Sequence, residues 1–145
     1  MDTVTLFNSE LCYNKQTRNA EWVFEHLQGN KGKPDRTKSK FKEDPDIPAL
    51  FRSHLQDYQG SGYDRGHLVP AADINASQKA LNETFFLSNT SPQSPAFNRG
   101  YWALFEKFVR NLQNHFDDVY VVTGPLFLPF KQGENYYVKY QVLGR

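Results

Sequence analysis

The order of elements in the sequence predicts an α+β fold, with a largely antiparallel sheet and one principal helix. Three observations carry this. Val119 to Thr123 is a β-branched and aromatic run stopped by Gly124-Pro125, which marks a strand. Tyr136 to Leu143 alternates with period 2 and reads as another. Between about Arg99 and His115 the apolar residues Tyr101, Trp102, Phe105, Phe108, Val109 and Leu112 recur at helical spacing, as for one long helix burying that face.

The remaining elements follow in chain order. Thr3 to Phe7 reads as a short strand and Asn14-Lys15-Gln16-Thr17 as a turn. Arg18 to Leu27 is ambiguous. Ala20, Val23, Phe24 and Leu27 fit a helix, whereas Trp22, Phe24 and His26 would line one face of a strand. Gly29 to Gln59 is loop-like, because Asp44-Pro45-Asp46-Ile47-Pro48 resists regular structure. A short helix is expected near Ser77-Gln78-Lys79-Ala80-Leu81, begun by Asn75 or Ser77. Phe85-Phe86-Leu87 reads as a short buried strand, Ser91-Pro92-Gln93-Ser94-Pro95 breaks the chain, and Asn98 suits the N-cap of the long helix.

At 145 residues the chain has the size of one domain, and its 39% apolar and 15% aromatic content suffices for a packed core. No apolar run approaches the roughly 18 residues of a membrane span. The first residues show neither a basic region followed by an apolar stretch nor an Arg-rich amphipathic pattern. The lone Cys12 excludes an internal disulfide and a Cys-based zinc site. A net charge of +1 is not that of a bulk nucleic-acid binder. The charge is nonetheless uneven, since Lys31 to Lys42 is dominated by cations. That segment is either a solvated loop or an arm touching phosphates through Arg36, Lys38, Lys40 and Lys42. The chain ends at Gly144-Arg145, directly after a strand, which suggests that further sequence follows.

The chemically informative stretch is Tyr63-Asp64-Arg65-Gly66-His67, just past the turn-forming Gly60-Ser61-Gly62. On an extended segment Arg65 and His67 project on one side, giving a base beside a phosphate-clamping fork. An unperturbed imidazole pKa of about 6.5 lets His67 take a proton from water near neutral pH. His26, His54 and His115 lack such company and read as structural. Glu106 and Arg110 are four apart on the long helix, either as a surface ion pair or as functional groups. Trp102 and Val109 flank Glu106 at the edge of the apolar stripe, where a carboxylate needs a specific partner. Asn98 is a cap on its own. A helix start also favours anions, so metal-bound phosphate would be welcome there. Asn89 is by itself an ordinary turn amide. One hard metal ion suits this set of imidazole, amides, carboxylate and guanidiniums with almost no sulfur.

Taken together the residues resemble a known family. The ordered set is Asp64-Arg65-Gly66-His67, Phe85-Phe86-Leu87-Ser88-Asn89, Pro92-Gln93, Asn98-x-x-x-Trp102-x-x-x-Glu106-x-x-x-Arg110 and Thr123-Gly124-Pro125-Leu126. It is similar to the DNA/RNA non-specific endonucleases of the ββα-metal (His-Me finger) superfamily. The pattern is nearest the endonuclease G branch of mitochondrial nucleases and its exonuclease-like relatives. Gly60-Ser61-Gly62, Ser77-Gln78-Lys79-Ala80 and Tyr137-Val138-Lys139-Tyr140-Gln141-Val142 share that branch's pattern, and the likeness runs from about Tyr13 to Gly144.

The resemblance implies a Mg²⁺-dependent endonuclease, with Mn²⁺ as an alternative ion, that cuts DNA and RNA and leaves 5′-phosphates. It implies that His67 activates water, that Asn98 is the direct metal ligand and that Glu106 holds metal waters. Arg65 and Arg110 would neutralise the scissile phosphate, and Asn89 would orient the His67 side or position phosphate. One basic residue among Arg36, Lys38 and Lys40 would add a phosphate contact. A homodimer, a mitochondrial location and a further C-terminal segment, absent here, are also family expectations. An open sheet edge would follow from that absence. The other class of reading is a catalytically inactive or truncated nucleic-acid-binding paralogue. A serine or cysteine hydrolase built on His67 lacks any Gly-x-Ser-x-Gly elbow.

Overall fold

A computed structural model describes residues 2–6, 9–27, 32–127 and 129–138. Lys31, the expected strand beyond Val138 and the terminal Gly144-Arg145 lie outside the described residues. Strands β1 (Asp2–Leu6), β2 (Ser9–Asn14) and β3 (Asn19–Leu27) form an antiparallel meander. Asn14 ends β2 with a side-chain turn: its Oδ1 accepts from the backbone N–H groups of Gln16 and Thr17 at 2.8 and 3.2 Å. A short helix α1 (Leu55–Tyr58) precedes β4 (Asp64–His67), and α2 (Gln78–Glu83) precedes β5 (Thr90–Gln93). A π-helical stretch, Phe97–Trp102, runs into α3 (Ala103–Asn111). Strand β6 (Val119–Thr123) and the hairpin β7 (Pro129–Gln132) and β8 (Asn135–Val138) complete the order.

The main sheet has the order β1-β2-β3-β6 and is antiparallel throughout, while β4 pairs with β5 and β7 with β8 as separate hairpins. One face of the sheet carries Leu11, Tyr13 and Val23, all fully buried, against Ile47, Leu68, Val69 and Ala80. Tyr13 belongs in this core because its hydroxyl donates to the Phe51 carbonyl at 3.0 Å. Gly124 closes the sheet tightly: a Cβ there would lie 2.5 Å from the Glu21 carbonyl oxygen of the neighbouring strand. Backbone on both sides leaves no room to relax. Gly124→Ala is therefore expected to lower stability by about 1–3 kcal/mol, read as a lower denaturant midpoint at unchanged slope.

The α+β reading holds, with differences in detail. The ambiguous Arg18–Leu27 stretch is strand, and Trp22, Phe24 and His26 share one face, outside the core. Strand β2 was not apparent, because Ser9-Glu10-Leu11-Cys12-Tyr13 lacks alternation. Cys12 lies opposite Trp22 yet is buried, and the register shifts beside it because Glu21 of β3 is an extra residue between the partners Trp22 and Ala20. Phe85-Phe86-Leu87 is buried but is not a strand. Only Phe86 makes a bridge, to Lys42, and the adjacent strand is Thr90–Gln93, within which Pro92 sits. Asn98 is not the cap of the long helix. Ser94 is, its Oγ accepting from the Phe97 N–H at 3.4 Å, and Asn98 lies inside the helical stretch. Nor does the helix bury its apolar face: Tyr101, Phe105 and Phe108 are exposed, and Trp102, Val109 and Leu112 are half-buried. Its rings instead lie against one another, with Trp102–Phe105 and Phe105–Phe108 centroids 5.6 and 6.4 Å apart.

Candidate active site

The β4–β5 hairpin presents the Asp64–His67 motif. At Gly66 a Cβ would lie 2.2 Å from Cδ of Gln93, so a larger residue there would displace the Gln93 side chain. As the spacing predicts, Arg65 and His67 face the same way, and both meet Phe41: the guanidinium lies 4.7 Å from the Phe41 centroid and the imidazole 5.1 Å. Phe85 stands edge-on to His67 at 4.9 Å. These two rings fix the imidazole plane. They also remove water, and burial followed by the Arg36 charge pushes the His67 pKa down to about 4. The imidazole is neutral at pH 7. Its Nε2 is buried and has no hydrogen-bond partner.

Asn89 anchors the segment that follows His67. It is fully buried, its Oδ1 accepts from Val69 N–H at 3.0 Å, and its Nδ2 donates to the carbonyls of Val69 and Thr84 at 3.0 and 2.9 Å. The amide has no hydrogen left for a phosphate, so of its two expected roles only orienting the His67 side agrees with its position.

Across from His67, Asn98 and Glu106 line the same cavity of about 730 Å³, together with Arg36, Asp64, Arg65 and Arg99. On a regular α-helix two residues eight apart lie about 80° from one another. The π-helical turns between Phe97 and Trp102 rotate less per residue and take up that excess, which puts the amide and the carboxylate on one side. The Asn98 Nδ2 donates to Asp64 Oδ2 at 2.9 Å, so its amide oxygen is the end left for a cation. Arg99 grips the same carboxylate through Nε and Nη2 at 2.7 and 2.6 Å. These bonds hold the Asp64 pKa below the usual carboxylate value. Burial, then the Asp73 carboxylate, raises Glu106 to about 7 against the pull of Arg110 and Arg36.

Among the described residues no three His, Cys, Asp or Glu gather in a way that would hold a metal. The donors that do converge are a tethered amide oxygen and nearby carboxylates. They fit a hard ion that keeps most of its waters, as Mg²⁺ does.

The basic segment resolves into different tasks. Arg36 lines the cavity and lies over Phe85 at 5.9 Å. Lys38 pairs with Asp35 at 3.7 Å, Lys40 is exposed, and Lys42 stacks on Phe86 at 4.9 Å. Arg110 is placed elsewhere than expected. It is not among the residues lining the cavity, and its Nε donates to the buried Asp73. Sequence reasoning assigned no role to Phe41, Asp64, Asp73 or Arg99. Asp64 sat within the quoted motif, but its partner Arg99 lies 35 residues away and nothing in the spacing signals the pair.

The chain belongs to the DNA/RNA non-specific endonuclease family, whose sequence model matches residues 2–142. It is 55% identical over 139 residues to Nuclease C1 of Cunninghamella echinulata var. echinulata, covering 92% of this chain and 55% of that protein. It is 47% identical over 138 residues to human mitochondrial Endonuclease G, covering 93% of this chain and 46% of that one. The chain thus spans about half the length of the curated relatives it matches. A chain in the crystal structure of an EndoG/EndoGI complex superposes with a TM-score of 0.91 at 42% identity, over 98% of this chain and 60% of that one.

Proposed function

We propose that this chain carries the catalytic centre of a Mg²⁺-dependent endonuclease that hydrolyses phosphodiester bonds of DNA and RNA, leaving 5′-phosphates. The observation that carries the proposal is the convergence of His67, Asn98, Glu106 and Arg65 on one cavity. Neutral His67 accepts a proton from the attacking water. Arg65, exposed and steadied by Phe41, neutralises a phosphate oxygen. Arg36 adds a second positive charge on the same side. The Asn98 amide oxygen would hold the divalent ion directly and Glu106 through waters. A bound ion would supply charge neutralisation at the leaving 3′ oxygen. Arg36 and Arg65, two of the cations lining the cavity, suit phosphate oxygens, which supports weak sequence preference. The same reading includes a homodimer and a mitochondrial setting, the latter supported by relatives named as mitochondrial nucleases. Among the described residues no helix is long and apolar enough to cross a membrane.

The test is direct. Purified protein should degrade plasmid DNA and RNA with Mg²⁺ or Mn²⁺ and stop when EDTA is added. A folded protein that binds DNA but cuts it with neither ion would show the reading to be wrong.

A further inference from the structure

Two carboxylates flank His67 along the chain, and each reaches the helix opposite. Asp64, at the start of β4, bonds Asn98 and Arg99 near the helix start. Asp73 lies beyond His67 in a short 3-10 turn, Ala71–Asp73, whose first residues follow the Asn89-clamped Val69. It bonds Arg110, in the last turn of α3. The two attachment points on the helix, Asn98 and Arg110, are roughly 18 Å apart at ~1.5 Å per residue. Glu106 lies between them, one turn before Arg110. A rod strapped at both ends to the segment that bears His67 cannot tilt, so the gap between the imidazole and the Asn98 and Glu106 side chains is set from both sides.

The Asp73 side chain is only 1% exposed, and the Arg110 side chain 26%. A carboxylate so enclosed needs its partner, and hence grips it. The groups facing this pair are Glu25 from β3, with 2% of its surface exposed, and Glu106 from α3. Arg110 is therefore the cation shared by all three carboxyl groups, with Arg36 acting on Glu106 as well. Its bond to Asp73 decides which of them it serves.

We propose that Asp73 is a positioning residue of the cleavage site: through Arg110 it fixes the far half of the helix, and so the place of Glu106 opposite His67. Asp73 touches no substrate. Its hold on the position of the helix runs through Arg110. This rests on the nuclease reading above.

The test is Asp73→Asn, which keeps the shape and removes the charge, in the parent protein and in an Arg110→Ala background. In the parent, kcat for Mg²⁺-dependent cleavage should fall about 10- to 100-fold, since small displacements of catalytic groups cost that much. KM should be little changed, because no substrate contact is lost. In the Arg110→Ala background, assayed at about pH 9 where Glu106 is ionised with or without the Asp73 charge, the same substitution should change nothing further, the mark of two residues acting as one. Should Asp73→Asn fail to melt cooperatively, Asp73→Glu moves the carboxylate by one methylene, and the same kcat loss and the same dependence on Arg110 are expected. Parental kcat in the folded variant, or an equal loss with and without Arg110, overturns the proposal. A parent protein that cuts no nucleic acid overturns the nuclease reading and this proposal with it.

Discussion

Replacing His67 with Ala is expected to slow phosphodiester cleavage by about 10²- to 10⁴-fold, the usual contribution of a general base. The loss has a specific origin. On the proposed reading the imidazole is the base: it lines the cavity, and burial and the Arg36 charge hold its pKa at about 4, so at pH 7 it is free to accept a proton without first losing one. Truncation also empties the space between Phe41 and Phe85, and some stability goes with it. His67→Gln fills much of that space and cannot serve as an equivalent base, so it separates the two effects. Both variants should lose activity alike, while only the Ala variant melts markedly earlier. Cleavage by the folded Gln variant at the parental rate would remove His67 from the mechanism.

The second large effect is on stability, and it has a sign. Glu25 sits on β3 with its Oε2 unpartnered. Burial first, then the Asp73 and Glu106 carboxylates, raise its pKa from 4.5 to about 8 against Arg110. The folded protein therefore keeps a proton that the unfolded chain has released between those values. Stability from this source is complete below the unfolded value and is lost as pH rises through the folded one. His67 works the other way: its pKa is lowered from 6.5, so its contribution is present above that value and is lost as pH falls toward about 4. Glu106 has the same sign as Glu25 and completes its change near pH 7. Between pH 7 and 8 Glu25 is thus the main contributor, with a slope of up to about 1.4 kcal/mol lost per pH unit. Denaturant melts at pH 7 and 8 should show this loss in the parent and not in Glu25→Gln. Equal slopes in the two proteins would mean that Glu25 is already ionised at pH 7.

What could be read from the linear sequence followed from how local the cause was. Val119–Thr123 is a strand because its own residues demand one, and Ser77 caps α2 through its Oγ, which accepts from the Ala80 N–H at 3.1 Å. The Asn14 turn is equally local. Arg65 beside His67 needed only the two-residue period of a strand. Where a distant partner decides, the linear pattern fell short. The helix was expected to bury Tyr101, Phe105 and Phe108, because helical spacing shows that residues share a face but not what lies against it. Asn98 was read as a cap because Asn at a helix start usually is one. Ser94 takes that task, and a π-helical stretch, which no simple periodicity reveals, turns Asn98 toward Asp64. Asp73 and Arg110, 37 residues apart, meet only in the folded chain.

The saturated Asn89 amide bears on how a substrate is received. Every hydrogen-bonding group of that side chain is engaged with residues adjoining His67 or with Thr84. Backbone freedom in the segment that follows His67 has thus been surrendered during folding, before any ligand arrives. On the proposed reading, a nucleic-acid strand then has less entropy to remove on this side of the cleft when it binds.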